Sequence, residues 1–148
     1  RKAFGDVRYV VSITNPDLKE TFYSTGVHYC ISRDEISAKM VSSYLFERDV
    51  ARFSSDLLSA SDSREELDMQ QYRVTAANPV AGKSFKEGFQ YLQNQYNALL
   101  IGLSRNKQLM KLPNQETPVY AGDYLIVIAD GMQARKLSKD FGVQEGLT

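Results

Sequence analysis

Near its C-terminus the chain reads Val119-Tyr-Ala-Gly-Asp-Tyr-Leu-Ile-Val-Ile-Ala-Asp130, a Gly-Asp turn that feeds an apolar, β-branched run. Such runs favour strands, because branched side chains suit a pleated, packed surface. Tyr124–Ala129 is therefore expected as a strand. Met132–Phe141 is expected as a helix after it, ended by Gly142 in a left-handed conformation. The backbone donors and acceptors of this strand need partners. The other segments decide where they come from.

Upstream, Val7–Ile13 is β-branched and aromatic-rich and is read as a strand. Asn15-Pro16-Asp17 then starts a helix: Asn caps free amides, Pro loses no needed N–H, and Asp17 faces the positive dipole end. Gly26 supplies the stop, and Val27–Ile31 is a second short strand. Strand, helix, strand is the rhythm of a parallel α/β sheet. Ser32-x-x-Glu35 is a capping box, and Ile36, Met40, Tyr44 and Leu45 follow at helical spacing. The pattern resumes at Val50, Phe53, Leu57 and Leu58, after a charged break at Glu47-Arg-Asp49. The polar stretch Ser59–Glu66 has no apolar periodicity and reads as a linker.

The pattern then changes. Gln71–Ala76 reads as a strand, Asn78-Pro79 and Gly82 as a turn, and Ser84-x-x-Glu87 as a second capping box. Phe85, Phe89 and Leu92 make that helix amphipathic. Ala98–Leu103, the turn 104–107 and Gln108–Leu112 form a hairpin, and 113–118 is a loop. The fold class expected is α/β plus α+β: a partial Rossmann-like βαβ lobe with a crossover helix over residues 1–58, a linker over 59–68, and a β-α-β-β-β-α lobe over 69–148.

Composition narrows the function. With 43% hydrophobic residues in 148, the chain buries a real core. Residues 1–70 carry 9 basic and 12 acidic side chains and residues 71–148 carry 9 and 6, so no nucleic-acid footprint is present. The single cysteine, Cys30, excludes an internal disulfide and fits a reducing compartment. No apolar run approaches the ~20 residues that cross a bilayer. Starting at Arg1, without an initiator Met, the chain is expected to be a soluble piece of something larger.

The order of segments resembles an RCK domain (regulator of potassium conductance), entered partway through its N-terminal lobe. Val10–Asp17, Ser24–Ser32 and Ile36–Met40 are similar to its late Rossmann strands and helices. Val50–Leu58 resembles its crossover helix, and residues 70–148 its C-terminal (TrkA-C) lobe. The resemblance implies a cytoplasmic ligand-sensing domain, not an enzyme, of a potassium channel or Trk/Ktr-type transport system. It implies a homodimer, with an octameric ring in the parent, acting on a pore subunit or a covalently linked pore domain, with no nucleic-acid partner. It places the crossover-helix residues Phe53, Leu57 and Leu58 at the dimer interface. Where calcium-gated members carry alternating carboxylates, this chain has Ser12 and Thr14. Where members that bind cyclic di-AMP have an Arg before an Asn-Ile pair, it has Tyr91 before Asn97-Ala98.

Asn97, Ala98 and Arg105 are the candidate ligand contacts, Arg105 as one of a basic set with Lys83, Lys86, Lys107 and Lys111 near turns. The cofactor is unknown: a nucleotide or a divalent cation fits the class, and no motif names either. His28 and Cys30, two apart on a strand, are read as packing, because no further ligands exist to complete a metal site. Asp34-Glu35 is explained by capping, and Asp62, Glu65, Glu66 and Asp68 by a solvated linker. Two other readings stand beside the first: a fragment of a nucleotide-binding oxidoreductase, and a purely structural dimerisation module.

Overall fold

The apolar run at 124–129 is the middle of the second sheet. In the computed structural model, which describes residues 7–58 and 67–141, β6 (Tyr124–Asp130) lies between two antiparallel neighbours. These are β3 (Leu67–Arg73) and β4 (Leu99–Arg105), and β5 (Gln108–Lys111) closes the order β3-β6-β4-β5. As the central strand, β6 is hydrogen-bonded along both edges, and its apolar side chains lie on both faces of the sheet. Leu125, Val127 and Ala129 face the core, and Ile128 makes a cross-strand row with Met69 and Leu99 on the other face.

The chain divides into two compact units, Arg1–Phe53 and Ser54–Thr148. In the first, β1 (Val10–Ile13) pairs in parallel with β2 (Tyr29–Ser32), as the strand-helix-strand rhythm requires. Between them, Pro16–Leu18 form a 3₁₀ turn and α1 spans Lys19–Ser24. The Asn15 side chain accepts the Asp17 N–H at 3.0 Å, so the expected cap is present, but it opens the 3₁₀ turn and not the helix itself. Gly26 has φ 92° at the helix stop. α2 spans Arg33–Phe46, and α3 (Arg48–Leu58) follows after Glu47 alone. The Ser32 hydroxyl accepts the Glu35 N–H, while the Glu35 carboxylate turns to Lys19 on α1. Only half of that capping box forms.

In the second unit, α4 (Phe85–Tyr96) has the complete box. The Ser84 hydroxyl accepts the Glu87 N–H at 3.3 Å, and Glu87 accepts the Ser84 N–H at 2.8 Å. α4 and α5 (Gly131–Phe141) supply Leu92, Tyr96, Leu137 and Phe141 to one core with Tyr72, Leu100, Leu103, Leu125 and Val127. β3 begins four residues earlier than the expected Gln71, because Leu67–Gln70 pair with β6 from Asp130 backwards. The expected linker 59–66 lies outside the described residues, as does Gly142; Leu67 and Asp68 open β3.

Two backbone details shape the hairpin. Asn106 and Lys107 both have positive φ (51° and 64°), so a two-residue turn of the kind that matches strand twist joins β4 to β5. Gly102 follows an irregularity in the β4–β6 register, where a Cβ would lie 2.9 Å from the Met110 carbonyl oxygen. Glycine is required there by close approach of the neighbouring strand.

Candidate functional site

Asn97 and Ala98 occupy the exit of α4. Asn97 holds φ 50° and its N–H reaches the Gln93 carbonyl at 3.0 Å, closing the helix. Asparagine tolerates this left-handed geometry better than most side chains. Its amide is exposed, while Ala98 is fully buried. Around this corner the Tyr96 ring meets Tyr91 and Phe141 edge-on, and its hydroxyl donates to Asp140 at 3.1 Å. Burial first, then hydrogen bonding with Tyr91 and Asp140, pushes the Tyr96 phenol well above its ordinary pKa. Lys136 lies over the Tyr96 ring and donates to the Gln95 carbonyl, and Lys83 lies 5.1 Å from the centre of the Tyr91 ring. A cation thus stands beside each of these two tyrosine rings.

Arg105 ends β4, at the other end of the strand from Ala98. Seven residues at ~3.4 Å each separate the two, so they do not converge on one small ligand within a chain. The Arg105 fork grips Asp123 in two bonds, Nε to Oδ1 at 2.8 Å and Nη2 to Oδ2 at 2.7 Å. Nη2 also donates to the Pro118 carbonyl, and the guanidinium lies 4.6 Å from the centre of the Tyr120 ring. Asp123 is buried and accepts the Tyr120 N–H as well. Burial alone would raise the Asp123 carboxyl, but the bonds from Arg105 and Tyr120 outweigh it and hold the group below the usual carboxylate range. The Gly122-Asp123 turn, with Gly122 at φ 96°, is therefore stapled to β4 by an ion pair eighteen residues apart. The sequence showed the turn but not the pair, which depends on β4 and β6 being neighbours.

The remaining basic side chains sit on different segments, with Lys83 just ahead of α4. Lys86 is in the first turn of α4, Lys107 in the hairpin turn and Lys111 at the end of β5, all exposed. His28 lies just before β2, not on it, and is exposed. Its Nδ1 accepts the Tyr9 N–H at 3.1 Å, while Cys30 is buried. Among the described residues no group of three or more His, Cys, Asp or Glu side chains could hold a metal ion. Glu35 is paired with Lys19, whose hydrogen bond holds its carboxyl below the usual range, and Asp68 accepts the Met69 N–H. Asp62, Glu65 and Glu66 lie outside the described residues. On α3, Phe53 and Leu58 are exposed and Leu57 is half-buried. Among the described residues no helix is long and apolar enough to cross a membrane.

Comparison with known proteins places this architecture. The human SLO3 gating ring matches over 88% of this chain and 27% of its own, at 15% identity and a TM-score of 0.68, and so shares the fold. The TrkA-C domain model matches residues 69–142, half of the chain. The chain belongs to the TrkA-C domain family, and its C-terminal unit is the C-terminal lobe of an RCK-type regulatory domain. The GsuK channel bound to NAD is similar over 91% of this chain and 22% of its own, with 18% identity and a TM-score of 0.47. The RCK_C domain dimer of S. agalactiae BusR with c-di-AMP is similar over 50% and 95%, with 16% identity and a TM-score of 0.42; BusR was also solved with promoter DNA. The chain spans roughly a quarter of the channel chains it matches first. No curated protein matches it.

Proposed function

We propose that this chain is a ligand-sensing module that controls a potassium channel or potassium transporter from the cytosolic side, through ligand-biased rearrangement of its subunits. The TrkA-C match over residues 69–142 carries the reading. Dimerisation is assigned to α3, where Phe53, Leu57 and Leu58 leave apolar surface uncovered. The ligand contact is assigned to Asn97 and Ala98 at the α4 exit. Arg105 would add a separate contact through the guanidinium donors that Asp123 and Pro118 leave over, two of its five. The ligand acts only by its difference in affinity for two subunit arrangements. No residue is given a bond-making step.

A thermal-shift screen with calcium, sodium, NAD, NADH, ADP, ATP, cyclic di-AMP and a short DNA duplex tests this. A ligand at 100 times its dissociation constant adds about 2.7 kcal/mol of stability. One selective shift, lost in Asn97→Ala, supports the sensing module and names its signal. A dimer that responds to nothing in the set supports the structural alternative instead.

A further inference from the structure

His28 is the only histidine in the chain. It lies just ahead of β2 and is tied to Tyr9, just ahead of β1, through both backbone and side chain. The Tyr9 carbonyl accepts the His28 N–H at 2.9 Å and the Tyr29 N–H at 3.1 Å. The Tyr9 N–H in turn donates to His28 Nδ1 at 3.1 Å. The two rings stack, with planes 23° apart and centres 6.0 Å apart. A backbone N–H can only donate, so Nδ1 is the acceptor and the imidazole is neutral, with its proton on Nε2. An imidazolium carries a proton on each nitrogen and has no lone pair to offer. One proton therefore decides whether this bond exists.

We propose that the Tyr9–His28 contact is a proton-operated latch on the segment that leads into β1. The neutral imidazole holds Tyr9 against the start of β2. A proton on Nδ1 sets donor against donor, so the ring swings off the amide and the side-chain bond is lost. The exposed Tyr9 ring still attracts the charged imidazole, so release of the amide does not need the ring to leave the surface. The ladder from Val10 to Ile13 consists of backbone bonds and stays paired. The ionisable groups on the surrounding elements are few. Arg8 precedes Tyr9, β1 carries none, and β2 carries Tyr29 and Cys30. On α1, which packs against β2, they are Lys19, Glu20 and Tyr23, and α2 opens with Arg33, Asp34 and Glu35. Lys19 and Glu35 pair with each other. Among the described residues no carboxylate pairs with the imidazole, so no ion pair replaces the lost bond once the ring is charged. A proton is thereby a second input to the chain, sited in the first unit and independent of the ligand contacts assigned to the second.

NMR on the whole chain between about pH 7.5 and pH 5.5, the range in which histidine changes charge, tests it. The His28 ring nitrogens are expected to show the Nε2–H tautomer at the upper end. The Tyr9 amide is expected to shift with the same midpoint as the His28 ring. Its protection factor should fall about fivefold across that step, the value of one hydrogen bond, while those of β6 stay constant. His28→Gln offers a side-chain acceptor that does not titrate, and the step should vanish in that variant. The Nδ1–H tautomer, or a ring that stays neutral down to about pH 5.5, overturns the proposal. So does a Tyr9 amide that is unmoved while the ring titrates, or a step that survives in His28→Gln. A shift of the amide without loss of protection reports only the nearby charge and overturns it as well.

Discussion

Asp123 is the residue on which the second unit's last turn depends. Its carboxylate is buried, and its two oxygens accept from Arg105 and from the Tyr120 N–H. Asp123→Asn would leave the fork of Arg105 facing an amide, a loss we place at about 2–3 kcal/mol, below the usual cost for a fully buried pair because Arg105 remains partly exposed. Urea unfolding at neutral pH measures it, as a lower midpoint at unchanged slope. The pH dependence has a fixed sign. A carboxyl held lower when folded than its unfolded ~3.9 gives stability that is complete above that value and is lost as pH falls through the folded one. The wild-type chain should therefore lose, below about pH 4, a stability increment that Asp123→Asn does not have. Gly102→Ala acts by sterics alone. Its Cβ would press on the Met110 carbonyl oxygen, and a backbone atom yields poorly, so about 1–3 kcal/mol of destabilisation is expected by the same measurement.

The two capping boxes separate what a local pattern guarantees from what its neighbours allow. Ser84 and Glu87 satisfy each other, and Ser84→Ala should cost about 1 kcal/mol in thermal or urea unfolding. At Ser32-x-x-Glu35 the same spacing gives half the box, because Lys19 on α1 takes the carboxylate. Ser32→Ala should therefore leave the Glu35–Lys19 pair in place, visible as an unchanged Glu35 carboxyl titration by NMR. A reading of spacing alone treats the boxes as equal; the position of α1 makes them different. The hairpin behaves like Ser84. The turn expected at 104–107 narrows to two residues: the strands run to Arg105 and from Gln108, because Asn106 and Lys107 accept positive φ.

The two units differ in how much they bury. The second holds a continuous core from Tyr72 to Phe141, whereas α2 in the first holds no buried residue. Amide exchange of the chain at low concentration should follow that division, slowest in β6 and fastest in α2, and uniform protection would contradict it. The parallel pairing of β1 with β2, the helices between the strands, the α4 cap and the strand at 124–130 were all legible in the sequence, because each follows from side-chain period, capping chemistry or turn residues within a few positions. Membership in the TrkA-C family was legible from the order of those segments. Three features were not. The Arg105–Asp123 staple needs β4 beside β6, the separation of Arg105 from Asn97 needs the length and direction of β4, and the bare side of α2 needs the packing of everything around it. Local periodicity fixes which elements form and which face of each is apolar. Which apolar face is covered, and which charges meet, is decided by contacts between residues distant in the chain, and those exist only once the strands are in order.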